Sequence, residues 1–205
     1  MEKNELQSLA AILKYKGVGP QGSKSLKGAT LLFLKEHMLD SQESNITQAT
    51  LLTAFLILPN TEEETQWLNE FRSQKLPEYL SELLPENFKQ LTGEGKMHHA
   101  LSMYHKIVQG KELSQKEIKA LVKYWLDNNS SKTLIAGTLE GLRLRRETFN
   151  ENLQIWKSLL SRSQSREAKV DRIVDIADIY NGHNRFPLLS PAIACILSAA
   201  GLSVS

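Results

Sequence analysis

Residues 111–158, with the sequence KELSQKEIKALVKYWLDNNSSKTLIAGTLEGLRLRRETFNENLQIWKS, decide the fold of this chain. Apolar side chains recur there at helical spacing, and two capping boxes mark helix starts: Ser114 with Glu117, and Thr148 with Glu151. In a capping box, the two side chains accept hydrogen bonds from backbone N–H groups that the first helical turn leaves unsatisfied. The stretch therefore predicts three helices, one from each box and one between them over about residues 134–145.

The same pattern occurs a second time, 87 residues earlier in the chain. Residues 24–71 align with residues 111–158 without a gap, and 10 of the 48 pairs are identical, where chance gives roughly three. Thr61 and Glu64 form a capping box at the positions that correspond to Thr148 and Glu151. Because caps fix helix boundaries, we interpret the alignment as a duplicated three-helix element. The alternative is that leucine-rich helices align by composition alone.

Other segments of the first 168 residues also favour helices. Residues 49–58 are apolar on nearly every face, as in a helix buried inside a bundle, and Gly110 ends a further predicted helix. We therefore predict a mainly α protein built as a helical bundle. Its N-terminal helical region, residues 1–110, holds the first copy, and a helical domain over residues 111–168 holds the second.

The pattern changes towards the end of the chain. Residues 173–179 are β-branched and apolar, which predicts a buried strand, and Ser190 before a proline predicts the start of a helix that ends at Gly201. Residues 202–205 resemble the beginning of a second strand. Because a β-α-β unit is the building block of a parallel sheet, we predict that residues 170–205 begin an α/β domain that is incomplete in this chain.

Charge and composition restrict the class of protein. Lys+Arg 25 against Asp+Glu 23 gives a net charge of +2, too small to identify a nucleic-acid-binding protein from bulk electrostatics. The single cysteine excludes an internal disulfide. The sequence has no stretch of about 18 uncharged apolar residues and no signal-peptide core at its N-terminus, so we expect a cytoplasmic protein without a membrane partner.

Three histidines and one cysteine are the side chains best suited to a transition metal. His98, His99 and His105 share one predicted helix, but no two of them have i, i+4 spacing and no nearby acid completes a zinc set. We therefore place the three histidines on a solvated polar face and predict no metal site. Cys195 lies among apolar residues of the last helix, which predicts a core position.

Three sequence features together resemble the anthranilate phosphoribosyltransferase family. They are the Leu-Ser-x-x-Glu helix start at residues 113–117, the Val-Asp-Ile strand at 174–176, and the Ser190 helix that runs into Ala-Ala-Gly-Leu-Ser-Val at 199–204. This family belongs with the class II nucleoside phosphorylases in glycosyltransferase family 3, and it transfers a phosphoribosyl group from phosphoribosyl pyrophosphate to an aromatic amine or base. The resemblance implies a small helical domain, a phosphoribosyltransferase-type α/β domain and a homodimer formed through the helical domain.

The resemblance also implies where the donor substrate would bind. In active members, a Gly-Thr-Gly-Gly-Asp loop follows the strand and wraps the pyrophosphate, and acidic residues that have no counterpart here hold Mg²⁺. Residues 177–185 of this chain keep one glycine, so we expect a divergent member that is inactive in this form, with unknown catalytic residues and no cofactor of its own. Candidates for binding a phosphoribosyl pyrophosphate-like anion are Asn181, Gly182, Asn184, Arg185 and Ser190. The alternative is a plain turn in which Asn-Gly supplies positive φ and Ser190 caps the helix.

A second hypothesis is a homodimeric nucleic-acid-binding module that uses the family fold. Residues 180–185, Tyr-Asn-Gly-x-x-Arg, resemble a divergent branch that includes nucleic-acid-binding homodimers. Arg143, Arg145 and Arg146 lie in the one basic concentration of the chain, and phosphate contacts on nucleic acid use such groups. Because glutamates are interleaved with these arginines, a solvated charged face is the competing interpretation, and a structural remnant with neither activity is a third hypothesis.

Overall fold

A computed structural model of the chain describes residues 8–88, 95–163, 174 and 190–202. The chain divides into two units, Met1–Arg162 and Ser163–Ser205. Every regular element in the described residues is an α-helix, which confirms the prediction of a mainly helical protein. None of the described helices combines enough length with enough hydrophobicity to cross a membrane.

Ten of the described helices belong to the first unit. They are α1 (Leu9–Lys16), α2 (Ala29–His37), α3 (Asn45–Ile57), α4 (Glu62–Arg72), α5 (Glu78–Ser81), α6 (Pro85–Phe88), α7 (Lys96–Val108), α8 (Gln115–Trp125), α9 (Lys132–Arg145) and α10 (Phe149–Leu160). The capping boxes predicted at Thr61, Ser114 and Thr148 are all present, and each begins a helix at the next residue. Local side-chain chemistry therefore sets the starts of α4, α8 and α10.

Helices α2, α3 and α4 recur 87 residues later as α8, α9 and α10, and their bounds agree to within one residue at each end. The first helices of the two sets are also related, since α1 packs against α2 and α3 as α7 packs against α8 and α9. We call α1–α4 the N-terminal copy and α7–α10 the C-terminal copy. The duplication itself stays a prediction, which these matching bounds support.

The ungapped alignment stops short of α1 and α7, because the two copies differ in length there. Helix α1 has 8 residues and α7 has 13, while the segment that leads to the next helix is longer in the N-terminal copy, residues 17–28, than in the C-terminal copy, residues 109–114. Gly19 and Gly28 in the longer segment have φ values of 112° and 54°, a region that favours glycine. Each copy therefore has four helices, one more than the sequence predicts.

The two copies pack against each other through the equivalent helices α3 and α9. Two glycines of α9 lie where this helix meets both α3 and α7. A Cβ at Gly137 would lie 3.1 Å from Cε2 of Tyr104 and 3.3 Å from Oγ1 of Thr53, and a Cβ at Gly141 would lie 2.7 Å from Cγ2 of Ile107 and 3.5 Å from Cδ1 of Ile57. The offset of 87 makes Leu144 the counterpart of Ile57, and Gly141 the counterpart of Ala54. Leu144 and Ala54 lie together in one buried cluster. Equivalent positions thus contact each other crosswise, as in an interface between two identical subunits.

This packing places both predicted helical regions in one unit, whereas the sequence predicts a boundary at residue 110. The reason is that α3 and α9 share their core, with Leu51, Leu52 and Phe55 of α3 fully buried. In the second unit, the structure describes α11 (Ser190–Ala199), which agrees with the helix predicted to begin at Ser190. The predicted strands at 173–179 and 202–205 lie almost entirely outside the described residues, so the β-α-β unit stays a prediction.

Candidate functional site

The three arginines predicted to contact nucleic acid lie at the end of α9. One of them, Arg145, forms an ion pair with a carboxylate of the same unit. Its Nη2 donates to both carboxylate oxygens of Glu151, at 2.7 and 2.9 Å. The same carboxylate accepts the backbone N–H of Leu113 at 2.8 Å and that of Thr148 at 2.9 Å. Arg145 is therefore the counter-ion of a fully buried carboxylate.

The charge of Glu151 follows from these partners. Burial of the carboxyl group by itself raises its pKa, because a charge loses hydration inside the protein. The hydrogen bonds from Leu113, Thr148 and Arg145 outweigh burial, and the pKa of Glu151 lies below its ordinary value of 4.5. Glu151 is therefore ionised at neutral pH, and it needs the guanidinium of Arg145 beside it.

Arg143 also has partners within the unit. Its Nε and Nη2 donate to the two carboxylate oxygens of Glu140, at 2.8 and 2.6 Å, and Nη2 donates to the carbonyl of Gly17 as well. These bonds connect the end of α9 to the end of α1. Arg146 is exposed and has a positive φ of 63° at the C-terminus of α9. Two of the three predicted nucleic-acid contacts are thus held by internal ion pairs.

The N-terminal copy contains an equivalent carboxylate, Glu64, which the sequence identified only as part of a capping box. It accepts the backbone N–H of Leu26 at 2.9 Å and that of Thr61 at 2.8 Å, as Glu151 accepts those of Leu113 and Thr148. Its cation is Lys16 of α1, whose Nζ lies 2.9 Å from Oε1 of Glu64 and donates also to the carbonyl of Pro59.

Both members of the Glu64–Lys16 pair are buried, with 0% and 1% of their side-chain surface exposed. Burial raises the pKa of Glu64, but the hydrogen bonds from Leu26, Thr61 and Lys16 outweigh burial, so its pKa is below 4.5. The identical leucine and glutamate at a spacing of 87 were the signal in the sequence for this arrangement. The two cations were missed because they come from different helices.

The predicted donor-binding residues fall mostly outside the part of the chain that the structure describes. Asn181, Gly182, Asn184 and Arg185 lie outside it, and Ser190 is the first residue of α11. The donor site therefore stays a prediction. Cys195 on α11 is exposed, so its predicted core position is wrong.

His105 also differs from its prediction. It is buried rather than on a solvated face, because its ring lies against α5, where Nε2 is 3.1 Å from the carbonyl oxygen of Glu82. Burial lowers the pKa of His105 to about 4, since the charged ring would lose hydration. In the described ranges, no three His, Cys, Asp or Glu side chains come together in a way that could hold a metal ion.

The C-terminal copy is similar to parts of known proteins. A family model described as "Glycosyl transferase family, helical bundle domain" matches residues 102–163, which run from α7 to the end of α10. An anthranilate phosphoribosyltransferase of Thermoanaerobacter sp. is 30% identical over 100 residues, and one of Caldanaerobacter subterraneus subsp. tengcongensis is 29% identical over 100 residues. No solved structure matches the chain significantly.

Each of these two alignments covers 49% of this chain and 30% of the relative, so the match spans less than a third of the relatives' length. The family model and both relatives nevertheless point to the same family. Residues 102–163 therefore match the helical bundle domain of the glycosyl transferase family, and this half of the chain is similar to anthranilate phosphoribosyltransferases.

Proposed function

We propose that the chain is a divergent anthranilate phosphoribosyltransferase-like protein that no longer carries out phosphoribosyl transfer. The ancestral reaction breaks the bond between the anomeric carbon of phosphoribosyl pyrophosphate and the pyrophosphate oxygen, and it forms a carbon–nitrogen bond to an aromatic amine or base. The observation that supports the loss of activity is the composition of residues 177–185, where Gly182 is the one glycine.

The chemistry of the donor explains why glycines matter there. The leaving pyrophosphate carries several negative charges, and backbone N–H groups stabilise them only if no Cβ prevents a close approach. A loop with one glycine offers fewer such groups. The amides of Asn181 and Asn184 and the guanidinium of Arg185 could still bind an anion, which favours retained binding over retained turnover.

An assay for consumption of phosphoribosyl pyrophosphate tests this proposal. The chain is incubated with Mg²⁺, phosphoribosyl pyrophosphate and anthranilate, and released pyrophosphate is measured. We expect no release above a blank without protein. Mg²⁺-dependent release that disappears in an Arg185→Ala variant of unchanged circular dichroism would overturn the proposal.

The nucleic-acid hypothesis is weakened by the ion pairs that two of its three predicted arginines form. Arg145 neutralises buried Glu151 and is only 10% exposed, and Arg143 is bound to Glu140, although half of its side chain is exposed. A salt-dependent mobility shift with duplex DNA tests the hypothesis. The hypothesis requires that the shift weaken in Arg146→Ala and in Arg143→Ala, since both side chains are exposed.

A homodimer through the helical domain is also a proposal, and the packing of α3 on α9 restricts it. The crosswise face between these helices is already covered within one chain, so a dimer has to use another face of the unit. Light scattering coupled to size-exclusion chromatography gives the mass directly. We expect about twice the 23.1 kDa of the chain, and a mass of one chain at all concentrations would contradict the dimer.

A further inference from the structure

A cationic cleft lies between α8 and α10 of the C-terminal copy, and neither the proposed function nor the family match assigns it a role. Its volume is about 380 Å³, within the range of small-molecule sites. Three cations line it, Lys119 of α8, Lys157 of α10 and Arg162 just beyond α10, together with two glutamines and two serines. Among the described residues, no carboxylate lines the cleft.

The acidic side chains of the two helices are held elsewhere. Helix α8 carries one acid, Glu117, whose carboxylate is bound to Lys106 and to the N-terminus of α8. Helix α10 carries one acid, Glu151, which is bound to Arg145. The positive charge of Lys119 and Lys157 is therefore not neutralised by a neighbour on either helix, and the cleft is suited to an anion.

The N-terminal copy has different side chains at two positions that line the cleft. The counterparts of Gln154 and Ser158, 87 residues earlier, are Trp67 and Phe71, and both aromatic side chains are buried. Their rings lie 5.3 Å apart, and Trp67 also packs on Phe55 of α3 at 4.6 Å. Two positions that belong to the aromatic core of one copy are thus polar in the other.

The charge of the cleft differs between the copies as well. Lys157 corresponds to Glu70, which is bound to Lys35 at 2.9 Å, and Lys119 corresponds to Leu32. The two lysines of the cleft therefore have no cationic counterparts in the N-terminal copy, where an exposed leucine and a neutralised glutamate stand at their positions.

We propose that the cleft between α8 and α10 binds a small ligand that carries a phosphate or diphosphate group. A phosphate dianion offers several acceptor oxygens for two ammonium groups, and a guanidinium such as that of Arg162 can bind two of these oxygens at once. The side-chain amide of Gln154 adds a donor, while the hydroxyl of Ser161 donates to the carbonyl of Ser158 at 2.9 Å. The cleft consists of residues 115–162, so it is separate in sequence from the predicted donor loop.

Titration calorimetry of the full chain with inorganic pyrophosphate at low ionic strength tests the proposal. We expect saturable binding of one pyrophosphate per chain. Lys157→Glu introduces the charge found at Glu70 and should weaken binding about tenfold or more, since a charge-assisted hydrogen bond becomes a repulsion. Lys132→Glu makes the same change of charge at an exposed residue at the start of α9 and should alter the affinity by less than about twofold.

Further variants separate this cleft from other sources of anion binding. Ser158→Phe, which copies Phe71, should abolish binding by filling the cleft, and an unchanged circular dichroism spectrum would show that the helices persist. Arg185→Ala should leave binding unchanged, which distinguishes the cleft from the predicted donor loop.

Four results would overturn the proposal. They are no saturable binding of pyrophosphate, equal weakening by Lys157→Glu and Lys132→Glu, loss of binding in Arg185→Ala, and binding confined to oligonucleotides with an affinity that grows with their length. The last result would identify a nucleic-acid surface instead of a small-ligand site.

Discussion

In both the N-terminal and the C-terminal copy, a buried carboxylate of the fourth helix binds the segment that precedes the second helix. The same three groups take part in each copy: the carboxylate, a leucine N–H and a threonine N–H. Glu64 and Glu151 are both fully buried, and each accepts a backbone N–H from a leucine 38 residues earlier and another from the threonine of its own capping box. The cations differ, because Lys16 comes from the first helix of its copy and Arg145 from the third. Each buried carboxylate therefore has a cation beside it, but the helix that supplies the cation differs between the copies.

The copies differ more at two positions of their fourth helices. Trp67 and Phe71 are buried in the N-terminal copy, while Gln154 and Ser158 stand at the same positions of the C-terminal copy and line the cleft. Gln154 is partly exposed and Ser158 is 7% exposed, so the difference lies in size and polarity more than in burial. The comparison teaches that the same backbone framework accepts a packed aromatic pair in one copy and polar side chains beside a cleft in the other.

Truncation of the aromatic side chain should separate the copies most strongly. Trp67→Ala removes a buried ring that packs on Phe55 and Phe71, so we expect the free energy of unfolding to fall by about 4 kcal/mol. Gln154→Ala at the equivalent, partly exposed position should cost less than about 0.5 kcal/mol. Urea unfolding followed by circular dichroism measures both values. Similar costs for the two variants would contradict the difference in packing.

Removal of the buried charge should affect the copies alike. Glu64→Gln leaves the ammonium of Lys16 buried without its carboxylate, and Glu151→Gln does the same to the guanidinium of Arg145, so each should cost about 3 kcal/mol. The loss at Glu64 should be at least as large, because Lys16 is the more buried cation.

Exposed neighbours provide matched controls for the charge variants in the same unfolding experiment. Glu63→Gln and Glu147→Gln change the charge by the same amount and should each cost less than about 0.5 kcal/mol. If Glu64→Gln or Glu151→Gln behaved like its control, that copy would not depend on its buried carboxylate.

The stability of the C-terminal copy should depend on pH through His105 of α7. The equivalent helix of the N-terminal copy, α1, contains no histidine. His105 has an ordinary pKa of 6.5 in the unfolded chain and a pKa of about 4 when buried. Between these values the unfolded state binds the extra proton, so stability is full above pH 6.5 and falls as the pH is lowered towards 4. Between about pH 7 and about pH 5, protonation of His105 in the unfolded chain should lower the free energy of unfolding by about 2 kcal/mol.

Comparison with a His105→Gln variant measures the contribution of His105, because the carboxylates contribute equally to both proteins. The variant should lose less stability over this pH range than the original chain. The pKa values of Glu64 and Glu151 lie below 4.5, so the stability that these two carboxylates contribute is lost only at more acidic pH. Parallel stability curves for the two proteins would show that His105 is not buried as a neutral ring.

The sequence predicted the helices well because their starts depend on neighbouring residues. The capping boxes at Thr61, Ser114 and Thr148 satisfy N–H groups within one turn, so four residues suffice to recognise them. The sequence predicts helices at α1 and α7 as well, but their equivalence was missed because the segment that follows α1 is longer than the one that follows α7. An alignment without gaps cannot extend across such a difference.

The roles of the charged side chains could not be predicted in the same way. Arg145 contacts Glu151 and Lys16 contacts Glu64 only after the helices have packed, and no local pattern identifies a cation that will be buried. His105 is neutral for a similar reason, since α5 covers it. The cleft could have been noticed in the alignment of the copies, where Trp67 is opposite a glutamine and Phe71 opposite a serine.

The central claim is that two equivalent helical copies are held by the same buried hydrogen bonds. Hydrogen exchange of the backbone amides of Leu26 and Leu113, followed by NMR, tests this claim most directly, because each amide donates to one of the two carboxylates. The account predicts that both amides exchange as slowly as those in the centres of α3 and α9. Exchange of either amide at the rate of an exposed loop would contradict it.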